Sequence, residues 1–153
     1  MPNRSLTAVA ALAVTISFLI GCAAAIPSSS SGTSTPQFQS AAEVPKQVRI
    51  LSGGIPNYDP VGQVLQAELP ALGYIVVEDN AQAVFDAYVR YSDFSPVHLS
   101  IALTEVGSGR VLWSAKIVRE WDMYASVVSA SESNARRAMA LLREDLAKVR
   151  ANR

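Results

Sequence analysis

The sequence has one cysteine and one histidine in 153 residues, and its charges cancel at 13 basic against 13 acidic residues. A single cysteine excludes an internal disulfide. One histidine and one cysteine also leave too few donors for a zinc site, which takes three or four protein ligands. No metal or other cofactor is expected. Without net positive charge, there is no electrostatic basis for a nucleic-acid binder that neutralises phosphates, or for a protein held on a membrane surface by charge alone. What the chain does have is apolar content. Half of its residues are hydrophobic, enough to bury one sizeable core.

The lone cysteine sits at a defined place. Met1-Pro2-Asn3-Arg4 supplies one positive charge, and residues 6–20 then run without a charged side chain, the layout of a secretory signal. The run ends in Leu19-Ile20-Gly21-Cys22. This tetrapeptide resembles the lipobox of bacterial lipoproteins. The resemblance implies a diacylglyceryl group on the Cys22 sulfur, cleavage after Gly21, and acylation of the new amine by a chain such as palmitate. Residues 1–21 would then be a discarded signal peptide. Two other readings stay open: an uncleaved anchor over residues 6–26, which is about long enough to span a bilayer, or an incidental thiol near a conventional cleavage site at Ala23-Ala24-Ala25.

Two or three acyl chains together hold a protein stably on a membrane, where one chain is marginal. Lipidation would also consume the only thiol, leaving no thiolate nucleophile in the folded part. In the enterobacterial sorting pattern, an aspartate after the cysteine favours the inner membrane. Ala23 in that place points to the outer membrane, facing the periplasm.

Residues 27–45, PSSSSGTSTPQFQSAAEVP, are rich in serine, threonine and proline and lack hydrophobic periodicity. Residues 22–45 are therefore expected to be a flexible tether, with a root-mean-square reach on the order of 25 Å. A folded domain is expected over residues 46–150.

Within that domain, KQVRILSGG reads as a strand with Val48 and Ile50 on one face. Asp59-Pro60 opens a helix expected over residues 60–72, with Pro70 threatening its last turn and Gly73 ending it. YIVVED reads as a second strand. VFDAYVRYSDF alternates, as does VHLSIALTE, and Gly107-Ser108-Gly109-Arg110 turns the chain into VLWSAKIV. Ser129 with Glu132 has capping-box spacing, and Ala135, Ala138, Met139, Leu142, Leu146 and Val149 form one apolar helical stripe. The expected fold is α+β: a two-layer sandwich in β-α-β-β-β-β-α order, with two helices on one face of a mixed four- to five-stranded sheet. The order, the strand VFDAYVRYSDF, the hairpin GSGRVLWSAKI and the terminal helix resemble small periplasmic domains such as the TolB amino-terminal region and the lipoprotein LpoB. No functional residue carries over from that resemblance.

Catalytic candidates are few. Ser100, His98 and Asp93 are near in sequence, but a triad is a matter of geometry. Ser52-Gly53-Gly54 between a strand and a helix lacks the lysine and hydroxyl of a phosphate loop. The pairs Glu78-Asp79 and Glu144-Asp145 are expected on surfaces. With helices on one face, the other face should present Tyr88, Arg90, His98, Ser100, Thr104, Leu112, Ser114, Lys116 and Val118. The loop at 119–124 adds Trp121 and Tyr124. Tyrosine and arginine are enriched where proteins bind. The expected function is a lipid-anchored, non-enzymatic interaction or assembly module of the cell envelope, using Tyr88, Arg90, His98, Trp121 and Tyr124 to engage an envelope protein or a second copy. The alternative is a domain that binds a small ligand or cell-wall component.

Overall fold

Alternation of apolar and polar residues builds the middle of the sheet. The computed structural model describes residues 30–93, 95–120 and 126–151. The strand β4 (Ala83–Arg90) buries Ala83, Phe85, Ala87 and Val89 and exposes Asp86, Tyr88 and Arg90. Its antiparallel neighbour β5 (Val97–Glu105) buries Val97, Leu99, Ile101 and Leu103 and exposes His98 and Ser100. A turn with Gly107 and Gly109 at positive φ leads into β6 (Val111–Arg119), antiparallel to β5.

One expected surface residue of β6 is in the core. Val111 opposes Thr104 and Trp113 opposes Leu103, so Leu112 is an extra residue in the ladder. A bulge of this kind re-aims a side chain. Leu112 is 1% exposed and joins Trp113 in the hydrophobic cluster.

The largest departure from expectation is at the amino-terminal side. Part of the stretch expected as tether forms β1 (Ser31–Pro36), which pairs antiparallel with β6 from Ser31 opposite Val118 to Pro36 opposite Trp113. Strand propensity is low here, so tertiary partners decide. The free edge of β6 supplies main-chain bonds, and Gly32 lies where a Cβ would collide with the Lys116 carbonyl and the Ile117 side chain. Ser34 donates to Asp145, and Phe38 just beyond the strand is buried. The sheet therefore has six strands, in the order β1-β6-β5-β4-β2-β3.

β2 (Gln47–Gly53) runs parallel to β4, and β3 (Ile75–Val76) runs parallel to the first residues of β2. β3 starts later than the expected strand because the Tyr74 amide donates back to the Leu69 carbonyl at 3.2 Å; the Tyr74 ring is buried, edge-on to Phe85 at 5.6 Å. Between β2 and β3 lies α1 (Pro60–Glu68), capped by Asp59, whose Oδ1 accepts the Gly62 N–H at 2.8 Å. α1 stops short of residue 72: Pro70 has no amide hydrogen to continue the ladder, and Pro70–Leu72 form a 3-10 turn closed by Gly73 at φ 94°.

The last helix, α2 (Val127–Ala151), begins before the expected capping box. Ser126 caps it, its Oγ accepting the Ser129 N–H at 3.1 Å. The stripe Ala135, Ala138, Met139, Leu142 and Leu146 is buried as expected. With Val61, Val64, Leu65 and Leu69 of α1 it covers the inward residues of the sheet in one cluster. Both helices thus lie on one face, and the fold is an α+β two-layer sandwich.

Candidate functional site: the uncovered face of the sheet

The strand register lays out the face opposite the helices. Arg90 stands opposite His98, His98 opposite Val118, and Val118 opposite Ser31. The adjoining row, roughly 7 Å along the strands, is Tyr88, Ser100, Lys116 and Thr33. Beyond it come Asp86, Ala102, Ser114 and Thr35. The middle of the face is made of small side chains, so the larger groups rise from a nearly flat floor. Tyr88, 58% exposed, is the aromatic one among them.

Of the five residues expected to form a binding surface, Tyr88, Arg90 and His98 are thus brought together on one exposed patch. Tyr88 and Arg90 are alternate residues of β4, and His98 is the cross-strand partner of Arg90. Trp121 and Tyr124 lie outside the described residues, as do Leu19, Ile20, Gly21 and Cys22. The patch combines an aromatic ring with the Arg90 and Lys116 cations, and Glu120 and Asp93 at nearby strand ends carry the opposite sign. Such a surface can stack, donate hydrogen bonds and take part in cation–π contacts.

The other candidates resolve differently. His98 and Ser100 share the face, but among the described residues no hydrogen bond links either one to Asp93. At the Ser52-Gly53-Gly54 turn, the helix N-terminus is already filled by a carboxylate. Asp59 accepts from the Gly62 amide and from Ser52 Oγ at 2.5 Å. An anion would meet the Asp59 charge there. Gly54, at φ 107°, packs where any Cβ would strike the Val89 carbonyl, which accounts for the glycine without a ligand.

Asp145, expected on the surface, is 4% exposed. It accepts from Ser34 Oγ at 2.6 Å, Trp113 Nε1 at 3.0 Å and Lys148 Nζ at 3.0 Å. Burial alone would raise its pKa. The hydrogen bonds from Ser34, Trp113 and Lys148, with the Lys148 charge, outweigh that and hold the carboxyl below the usual carboxylate value. Asn134 is a second polar residue that the apolar stripe conceals, donating from Nδ2 to the Val97 carbonyl at 2.8 Å in the core. Both are structural groups on the helix side, away from the open face. The signal that could have found them is their spacing: Asn134 and Asp145 continue the i, i+4, i+7, i+11 stripe that begins at Asn134, Ala138, Leu141 and Asp145.

No protein-family model and no curated protein matches the chain. Several solved structures resemble the chain. The PelC dodecamer from Paraburkholderia phytofirmans is 17% identical with a TM-score of 0.56, over 74% of this chain and 97% of that one. A variant of the same protein gives 19% and 0.55 over the same shares. A minor lipoprotein from Acinetobacter baumannii is 16% identical with a TM-score of 0.37, over 67% of this chain and 93% of that one. These structures bring no added support to the likeness with TolB and LpoB. What the PelC structures establish is likeness of fold: the two-layer arrangement described above also occurs in a solved protein.

Proposed function

We propose that the protein is a lipid-anchored, non-enzymatic interaction module of the bacterial envelope that meets its partner with the uncovered sheet face. The observation that carries this reading is the register placing Tyr88, Arg90 and His98 on one exposed patch, with no covering layer among the described residues. The lipobox-like Leu19-Ile20-Gly21-Cys22 supports the anchor. Among the described residues, no helix is long and apolar enough to cross a membrane. Outer-membrane placement, facing the periplasm, is the finer proposal and follows from Ala23 after the cysteine.

With β1 beginning at Ser31, only residues 23–30 separate Cys22 from the sheet. Eight residues reach at most about 28 Å when fully extended. The domain would therefore be confined near the lipid headgroups, with a smaller maximum reach than a tether running to residue 45 would give it. Self-association is one form this interaction can take, and the fold likeness favours testing it first, since the solved PelC assemblies are dodecamers.

The test is crosslinking of the full-length protein in its own membranes, followed by identification of the adducts. One abundant adduct, either with an envelope protein or with a second copy, that disappears on alanine substitution of Tyr88, Arg90 and His98 supports the reading. An adduct indifferent to those changes refutes the surface assignment.

A further inference from the structure

The sheet is not closed at β2. β3 pairs only with Gln47 and Val48. The carbonyls of Lys46 and Val48 accept from Ile75 and Val77, whereas that of Gln47 accepts from Gln82 on the β4 side. Main-chain direction alternates along a strand, so the amides and carbonyls of Ile50 and Ser52 also point away from β4. No strand among the described residues meets them there. Natural sheet edges are usually blunted by a charge, a proline or a bulge. Residues 50–53, Ile-Leu-Ser-Gly, have none of these.

A second observation falls at the same edge. Of the six large apolar side chains exposed among the described residues, four lie on β2 or the elements beside it: Leu51 at 47% on β2, Ile75 at 56% on β3, Tyr88 at 58% on β4, and Tyr58 at 43% in the turn that shares a small pocket with Ser52 and Gly53. Leu51 and Ile75 lie on the open face of β2 and β3, and the Tyr88 ring lies beside Gly53. On the helix side, a groove of about 500 Å3 runs between Ile50 and Ser52 of β2 and Gln63, Gln66 and Ala67 of α1, and the Asp59 carboxylate, held by the Ser52 hydroxyl, also lines it.

We infer that the open half of β2 is a strand-addition site, which binds an extended segment of a partner protein with apolar side chains at alternate positions. It rests on the reading of the domain as an interaction module and names how the partner is held. Unpaired main-chain groups two residues apart are the chemistry that recognises an extended backbone, and flanking apolar surface selects the alternate side chains. The segment would extend the sheet along the line of β3. Its outward side chains would cover Leu51 and the Tyr88 ring, and its inward ones would enter the groove beside α1.

The strand of a second copy best placed to bind there is a poor match. β1 is the other free edge, but its open-face side chains are Ser31, Thr33 and Thr35, which offer nothing apolar. Pro36 also lacks the amide that an incoming strand would contribute.

The test is panning of phage-displayed random linear dodecapeptides on the full-length chain, beside an array of peptides cut from the chain's own sequence. The selected peptides are expected to carry apolar residues at alternate positions and to protect the Ile50 and Ser52 amides from hydrogen exchange. N-methylation at alternate peptide positions should weaken binding about tenfold or more for one parity and leave the other unchanged, since each lost hydrogen bond costs about 1 kcal/mol. Leu51→Lys should abolish binding while Glu144→Ala, exposed on α2, leaves it intact. The inference is overturned by an empty selection, by protection elsewhere, by equal effects of the two methylation parities, or by binding of own-chain peptides alone. If the membrane crosslink through the Tyr88, Arg90 and His98 patch persists in any of those cases, the interaction reading stands and only the edge site is lost.

Discussion

Asp145 receives the indole N–H of Trp113 at 3.0 Å, joining the last helix to β6, next to the edge strand, through a buried hydrogen bond to a carboxylate. The same oxygen takes the Ser34 hydroxyl, so β1, β6 and α2 meet at one group. A serine-rich strand with little intrinsic preference is thereby held in place by a residue more than a hundred positions away.

Asp145→Ala should lower stability by about 2–4 kcal/mol, because the Trp113 N–H and Ser34 hydroxyl lose their acceptor in a buried site. Thermal melting checks this. Asp145→Asn retains an acceptor and should cost less. Ser34→Ala, which removes one donor and leaves the others, should cost about 1 kcal/mol.

The same carboxylate sets a pH dependence. Its folded pKa is depressed below the usual value, so the folded state favours the charged form. That contribution is complete above the unfolded pKa, about 3.9 for aspartate, and is lost as pH falls through the lower folded value. The gap between denaturant melts of wild type and Asp145→Asn should be constant near neutral pH and begin to narrow as the pH falls below that unfolded value, down to pH 3. A constant gap across that range would mean that the charge of Asp145 plays no part.

Leu112 separates the observed core from the one read by strict alternation. Leu112→Ala should cost about 2–4 kcal/mol, as expected for a buried leucine. Lys116→Ala, on the open face four residues later, should change stability by no more than about 0.5 kcal/mol. Equal, small effects would place Leu112 on the surface.

Strong periodicity made much of the fold legible. Strands β4 and β5 bury the apolar residues that their alternation assigns from Ala83 to Val89 and from Val97 to Leu103, the stripe of α2 is buried from Ala135 to Leu146 with Val149 half-buried, and Asp59-Pro60 marks the start of α1. Three features were hidden, each for a physical reason. β1 has no apolar alternation and exists because β6 offers it an edge, Gly32 permits close approach, and Asp145 binds Ser34. Leu112 follows from a bulge, which shifts the period of two by one residue. Asp145 is charged, and its burial depends on Trp113 and Ser34, which only the folded chain brings to it. On the candidate site, alternation correctly put Tyr88, Arg90 and His98 on one face. The open edge at Ile50 and Ser52 was not legible, because it arises from the shortness of β3.

Cys22→Ser should release the protein from the membrane fraction and remove any acyl mass from the mature chain. A membrane-bound form that keeps residues 1–21, or that lacks acyl mass on Cys22, would contradict the anchor and favour the uncleaved reading of residues 6–26.

A partner that covers the sheet face opposite the helices would lie against the residues in the middle of that face. The most direct measurement places a photo-crosslinking amino acid at Ser100, in the middle of that face, and separately at Arg143, exposed on α2, in the full-length protein in living cells. A discrete adduct is expected from Ser100 and none from Arg143. No adduct from Ser100, or the same adduct from both positions, would contradict a partner on that face.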